Sequence, residues 1–255
     1  MELWKAIIFG IVEGITEFLP VSSTGHLVLT AKFLGCPPTE FLKTFEVVIQ
    51  LGAMGAVVVL YGQPLMRDIR IWQRVTVAFV PTAVIGLFFY KAIKHYLGNT
   101  DIVVWSMLLG GIFLVVFDLI HKENENSVKD VGQISYKTAA LIGVFQSIAM
   151  IPGVSRAAAT IIGGLILGVQ RKTIVEFSFL LAVPTILAAT VLDLLKHPHP
   201  FSPDQWISLA AGFITSFVVA LFSIKFLLQF IKTHSFIPFG IYRILAALAF
   251  WFILT

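Results

Sequence analysis

Charge is what this sequence has least of. Only 13% of its 255 residues are Asp, Glu, Lys or Arg, against 58% that are hydrophobic. A water-soluble chain carries about 25% charged residues, so this one cannot clothe a soluble domain of its length. The mean hydropathy of +0.92 points the same way, to a polytopic membrane protein. Cysteine is nearly absent too. Cys36 stands alone, which excludes an internal disulfide and a zinc site built from thiolates. The first apolar stretch, 3–19, lacks a basic leader and a small-residue cleavage site and carries Glu13 and Glu17. It is therefore expected to belong to the mature protein rather than to a secretion signal. A net charge of +4 and a pI near 9.2 do not indicate a nucleic-acid partner. The basic residues lie singly or in twos and threes between apolar runs, as in membrane loops.

A membrane-spanning helix needs about 20 apolar residues. Six segments reach that length: 41–62, 73–92, 102–121, 173–195, 205–230 and 237–254. Four apolar stretches are too short to span: 3–19, 24–35, 138–150 and 155–168. Each short pair flanks a polar, proline-containing turn, Leu19 to His26 in the first and Ile151 to Arg156 in the second. Apolar halves of that length around a break read as re-entrant hairpins, a single broken spanning helix being the alternative.

The longest hydrophilic stretch, 121–137, is expected to be a solvent loop, and it divides the chain into halves that resemble each other, about 1–121 and 138–255. A shift of 133 residues carries Gly10 onto Gly143, Glu13 onto Gln146, Ser22 onto Ser155 and Ser23 onto Arg156. Each half reads hairpin plus three spans, and an odd number of spans turns the second unit upside down. The expected fold is all-α and polytopic: six transmembrane helices plus two re-entrant helical hairpins, arranged as two inverted-topology repeats in one membrane domain. Lys5, Lys32, Lys43, Lys91, Lys94 and Lys196 fall on one side of the membrane. Arg67, Arg70, Arg74, Lys122, Lys129, Lys137, Arg171, Lys172 and Lys232 fall on the other. Nine against six favours the second side as cytoplasmic, with both termini and the opening of the first hairpin outside.

Ionisable groups inside apolar segments cost roughly 2.5–3.5 kcal/mol each at mid-membrane and persist where they pair, bind an ion or face water. Glu13, Glu17, Glu46, Glu176, Arg156, Lys225 and Arg243 qualify, with His26 at a turn. For Lys225 and Arg243, which fall in no polar cluster of the sequence, structural pairing between helices is the preferred reading. Glu13 and Glu17 are four apart and share a helix face, where a cation or a proton would relieve their repulsion. Pro20 stops that helix. Ser22, Ser23 and Thr24 are good N-caps for the next, with His26 in its first turn. In the second hairpin Ser155 can cap the new helix, Arg156 adds a planar cationic fork suited to phosphate, and Thr160 lies on the same face one turn on. Helix N-termini and arginine bind an oxyanion, carboxylates bind a divalent cation, and serine or histidine supplies a nucleophile or a proton relay. Phosphoryl transfer uses that set.

At these residues the sequence resembles the undecaprenyl-diphosphate phosphatase family, the bacitracin-resistance type of integral membrane phosphatase. The likeness runs nearly end to end and is most specific from Glu13 to His26, from Lys43 to Gly52, and in Pro152 to Arg156 with Thr160. It implies removal of the terminal phosphate of undecaprenyl diphosphate at the outer face of the bacterial inner membrane, regenerating the lipid carrier of peptidoglycan synthesis. It also implies a divalent cation, Mg2+ or Ca2+. Carried over, Glu13 and Glu17 fit the family's acidic pair and metal site, Ser23 and His26 its serine and histidine, and Arg156 its arginine. Ser155 and Thr160 match its remaining hydroxyls, and Ser22 and Thr24 are expected at the substrate. Ala157 and Ala158 depart from the small polar residue and glycine expected after the arginine.

On this reading Ser23 is the nucleophile, with His26 or a glutamate managing its proton. Attack by water activated by Glu17, or by His26 itself, are the alternatives. The rival from another class is a polyprenyl-phosphate flippase or secondary transporter using the same midplane anion site. The other membrane lipid-phosphatase superfamily is excluded. It needs a histidine six residues after the arginine, where this chain has Ile162, and none follows before His197. A homodimer is an expectation that Gly163 and Gly164 could support.

Overall fold

The computed structural model describes residues 1–90, 99–124, 126–196 and 201–254, with the backbone alone at 64–67 and 253–254. Lys91, Lys94, His197 and the end of segment 73–92 lie outside the described residues, as does the Arg67 side chain.

Among the described residues the chain is helical apart from short turns and a bridge between Val128 and Val169. The first hairpin is α1 (Leu3–Thr16) and α2 (Ser23–Phe33), followed by α3 (Glu40–Arg67), α4 (Ile69–Phe88) and α5 (Thr100–Ile120). The second is α6 (Tyr136–Ser147) and α7 (Arg156–Ile166), followed by α8 (Arg171–Lys196), α9 (Pro203–Phe230) and α10 (Ile237–Leu254). Helix starts follow side-chain chemistry. Ser135 accepts from the Thr138 N–H at 3.0 Å, and Ser202 forms a capping box with Gln205 ahead of a proline at the first helical position.

Five of the described helices, α3, α4, α5, α8 and α9, are long and apolar enough to cross a membrane, and α10 is a sixth apolar helix of 18 residues. Polarity is distributed inside out: Phe88 and Phe252 are 80% exposed while Glu13 and Arg243 are 0% exposed. This is a multi-pass membrane protein. Lys225 lies exposed on the outer face of α9 beside exposed Phe222 and Phe226, where a long stem lets its ammonium reach toward a polar layer.

The helices pair in a repeating way. α1 packs on α9 and α9 on α3; α6 packs on α4 and α4 on α8. Under the 133-residue shift α6 is the image of α1 and α4 the image of α9, so one set of contacts reproduces the other. Both close approaches depend on glycine. A Cβ on Gly10 would fall 2.6 Å from the Gly212 carbonyl, and one on Gly143 would overlap the Ala78 carbonyl. Gly163 and Gly164 are spent inside the chain, against Phe145 and Ile174, so they form no exposed face for a second copy.

The stretch expected to be a solvent loop is tied down. Val131 and Ile134 are buried, and Val128 exchanges backbone hydrogen bonds with Gly168 and Gln170 at 2.9 and 3.0 Å. Arg74 Nε donates to Ile134 O at 3.1 Å, and Arg171 pairs with Asp118 at 2.9 Å. Beside them Asp68 caps α4 by accepting from the Arg70 N–H at 2.9 Å, and the Arg70 guanidinium holds its carboxyl below the usual range. The expectation missed that its apolar residues would find a place in the core.

The glycine contacts give a stability test. Gly143→Ala places a methyl group against backbone and is expected to cost about 1–3 kcal/mol. Gly62→Ala, with open space around its Cβ, is expected to be neutral or to gain up to about 1 kcal/mol from helix propensity. Thermal unfolding of the purified variants in detergent checks both.

Candidate active site

The two polar turns meet at one cavity of about 110 Å³. Its walls are Glu17, Ser22, Ser23 and Thr24 from the first break and Ala149, Gly153, Ser155 and Arg156 from the second, closed by Gln50 of α3 and Ile186 of α8. The N-termini of α2 and α7 both start there, so free backbone donors and two helix dipoles converge on one space. Ser22 (φ 73°, ψ 91°) and Ser155 (φ 77°, ψ 116°) are the only non-glycine residues with positive φ among those described. They coincide under the 133-residue shift, and each caps its helix, Ser22 accepting from the Gly25 N–H at 3.4 Å and Ser155 from the Ala158 N–H at 3.2 Å. Two such backbones cost about 1–3 kcal/mol each and persist where the surroundings hold them.

Glu17 is the hub. Its Oε2 accepts from Ser23 Oγ at 2.6 Å and its Oε1 from Arg156 Nη2 at 3.2 Å. Arg156 Nη1 also donates to Ser178 O at 2.8 Å, while its buried Nε–H has no partner. One carboxylate thus holds a hydroxyl from the first break and a guanidinium from the second. A serine hydrogen-bonded to a carboxylate has a proton acceptor at hand, and an arginine with a spare N–H can receive an oxyanion.

The other expected residues lie around this centre without lining the cavity. Glu13 is fully buried, with both carboxylate oxygens lacking a hydrogen-bond partner, and its charged surroundings are Glu17, Glu46 and Arg156. Orphaned hard oxygens suit Mg2+ or Ca2+. No group of three or more His, Cys, Asp or Glu with metal-binding geometry occurs among the described residues, so a cation there would need further oxygens from substrate and water. His26 Nδ1 faces Ser22 O at 2.7 Å and its Nε2 faces the Tyr242 hydroxyl at 2.7 Å, the rings stacked 5.5 Å apart. Both nitrogens are therefore engaged away from the Ser23 hydroxyl. Thr160 is fully buried, its hydroxyl 2.9 Å from Arg156 O and 3.4 Å from Gln146 Oε1. Glu176 pairs loosely with Lys172 at 3.9 Å.

A sequence profile of the family described as bacitracin resistance protein BacA matches residues 6–249. The chain belongs to this family. It is 53% identical, over 98% of both chains, to a protein of Aquifex aeolicus named undecaprenyl-diphosphatase. Proteins of the same name from Persephonella marina and Wolinella succinogenes are 51% and 47% identical, the first over 98% of both chains and the second over 100% of this chain and 99% of its own.

In this BacA-family chain sequence reasoning overlooked Gln50, Ser178, Tyr242 and the place of Arg243. Gln50 had a signal, being one turn from Glu46 on α3 inside a motif already singled out. Ser178 acts through its carbonyl, for which no side chain gives notice. Arg243, set aside as lying in no polar cluster, donates to backbone carbonyls of both breaks. The cluster exists, but it is made of main chain.

The strained caps give the next test. Ser155→Ala keeps the positive φ and loses the cap, an expected cost of about 1 kcal/mol. Ser155→Gly relieves the strain, so its net cost is expected to stay within about 0.3 kcal/mol. Thermal midpoints measured without substrate should rank wild type, Gly, Ala; Ala above Gly would refute the strain.

Proposed function

We propose that the chain is an integral membrane phosphatase that hydrolyses undecaprenyl diphosphate to undecaprenyl phosphate and inorganic phosphate, recycling the carrier lipid of cell-wall synthesis and giving bacitracin resistance. The observation that carries the site is the bridge Ser23–Glu17–Arg156, which joins the two breaks. The relatives' shared name supplies the substrate. No feature of the cavity favours a transporter instead.

The architecture that goes with this reading has six spans and two re-entrant hairpins in inverted repeats, in the bacterial inner membrane with the cavity open to the periplasmic side. The mirrored helix pairing supports the repeats. The gathering of Arg74, Ile134 and Arg171 with the 121–137 stretch at one end, and of Met1 with Ser208 elsewhere, agrees with the charge count.

Chemically, Arg156 and the N-termini of α2 and α7 clamp the diphosphate. Ser23 Oγ attacks the terminal phosphorus while its proton passes to Glu17 Oε2. The bond from that phosphorus to the bridging oxygen breaks, and undecaprenyl phosphate departs. Water then hydrolyses the phosphoserine, giving inorganic phosphate and restoring the Ser23 hydroxyl. His26 steadies the Ser22 turn in this scheme, and Ser22, Thr24 and Ser155 offer hydroxyls to the phosphates. Thr160 supports Arg156 through its carbonyl. Glu13 would hold the divalent cation, with Glu17 sharing it only until Glu17 takes the Ser23 proton, and the chemistry supplied would be neutralisation of phosphate charge.

Phosphate release by purified protein in detergent, with no gradient, tests the assignment. Arg156→Ala and Glu17→Gln are each expected to lose about 10²-fold or more in kcat; unimpaired hydrolysis in both would sink the site. Ser23→Ala should lose activity to a similar extent, whereas near-normal turnover would transfer the attack to a water activated by Glu17. Chelation should abolish turnover, and Glu13→Gln should raise the Mg2+ concentration for half-maximal rate by ~10-fold.

A further inference from the structure

Arg243, in the middle of α10, is fully buried and is among the largest side chains so enclosed. No carboxylate pairs with it among the described residues. Its two terminal nitrogens face main-chain carbonyls instead, while the buried Nε–H has no partner: Nη1 lies 3.4 Å from Pro20 O and 3.0 Å from Val154 O, and Nη2 lies 3.0 Å from Gly153 O and 3.1 Å from Ser106 O. Pro20 belongs to the first break, Gly153 and Val154 to the second, and Ser106 to α5. Under the 133-residue shift Pro20 is the equivalent of Gly153, so one cation binds matching carbonyls of the two turns. A trans peptide is planar with its C=O and N–H opposed. A Val154 carbonyl turned toward Arg243 therefore directs the Ser155 N–H away from it.

We propose that Arg243 is the positioning residue of the active site: it fixes the two turns relative to each other, and through them the registration of Ser23 and Glu17 with Arg156. The proposal rests on the site assigned above and goes beyond it, because Arg243 touches neither Glu17, Ser23 nor Arg156. A purely stabilising arginine has no reason to reach the same position in both repeats at once. The planar fork matters here, since four carbonyls in two directions cannot be served by an ammonium, which is a point charge on a flexible stem.

Gly110 of α5 makes the idea testable without removing the charge. A Cβ there would overlap Arg243 Nη2 and Cζ. Gly110→Ala thus displaces the far end of a flexible side chain while improving helix propensity. The full chain in detergent is assayed for phosphate release from undecaprenyl diphosphate, with kcat and KM expressed per monodisperse folded protein and thermal midpoints recorded. Gly110→Ala is expected to stay folded and to lose about 10²-fold, mostly in kcat rather than KM. Arg243→Lys should fall between wild type and Arg243→Gln. Wild-type kcat in folded Gly110→Ala or Arg243→Lys overturns the proposal. Failure of both variants to fold also overturns it, by making Arg243 a folding element. Arg156→Ala and Glu17→Gln run alongside. If they are dead while Gly110→Ala is normal, positioning alone falls; if they are active, the site falls and takes the proposal with it.

Discussion

Breaking a helix within an apolar interior strands backbone donors and acceptors that have lost their helical partners, and this chain does so twice. Each orphan costs roughly 2–7 kcal/mol in an apolar medium, so the breaks exist only because something answers them. One donor at each new helix start is met by a side chain, Ser22 or Ser155, and others are left to face the cavity. The acceptors are met by Arg243, which takes carbonyls from both turns, and by His26, which takes the Ser22 carbonyl. Tyr242 and Arg243 are neighbours on α10, so the last helix completes the first hairpin across more than two hundred residues of chain.

The same arrangement sets the charge balance. Glu13, Glu17 and, close by, Glu46 stand against Arg156 and Arg243, three acids and two bases in a largely buried region. One of the bases, Arg156, is tied to Glu17, and the other is turned to carbonyl oxygens that carry only partial charge. Two charges 4 Å apart interact by about 4 kcal/mol at an effective dielectric of 20, large enough to decide protonation and ion binding. A diphosphate entering such a cavity brings excess negative charge. The helix N-termini offset part of it, and the spare Arg156 Nε–H another part. The rest would be offset by a cation beside the acids, the part proposed above for a divalent metal.

Hydrophobic length made the helices legible. Segment 173–195 is Arg171–Lys196 and segment 205–230 is Pro203–Phe230, because apolar runs must match membrane thickness. The breaks were legible through proline, serine and misplaced charge. Three things were not. A backbone carbonyl has no letter of its own, so the cluster that receives Arg243 and the Ser178 carbonyl that receives Arg156 could not be read. The direction of a side chain at a turn depends on its partner, and the partner of His26 is Tyr242, 216 residues away. Polar loop residues do not reveal that Val131 and Ile134 among them will be buried, since burial depends on what α4 and the start of α8 present.

The two hairpins share a backbone and differ in chemistry, and the difference has a direction. At the position of Glu13 the second hairpin has Gln146, whose amide donates to Thr82 at 3.0 Å and to Thr185 at 3.1 Å and accepts from Thr160. The polar side chain at that position is thus satisfied by neighbouring helices as well as by its own hairpin. At the position of Ser23 it has Arg156, so the second hairpin presents the cation. The first hairpin keeps the Ser23 hydroxyl and leaves Glu13 without a partner. A symmetric pair of identical turns would have placed two hydroxyls, or two cations, face to face. Substitution at two equivalent positions thus makes the two turns chemically different, one offering a guanidinium with a spare N–H and the other a hydroxyl beside an unpartnered carboxylate.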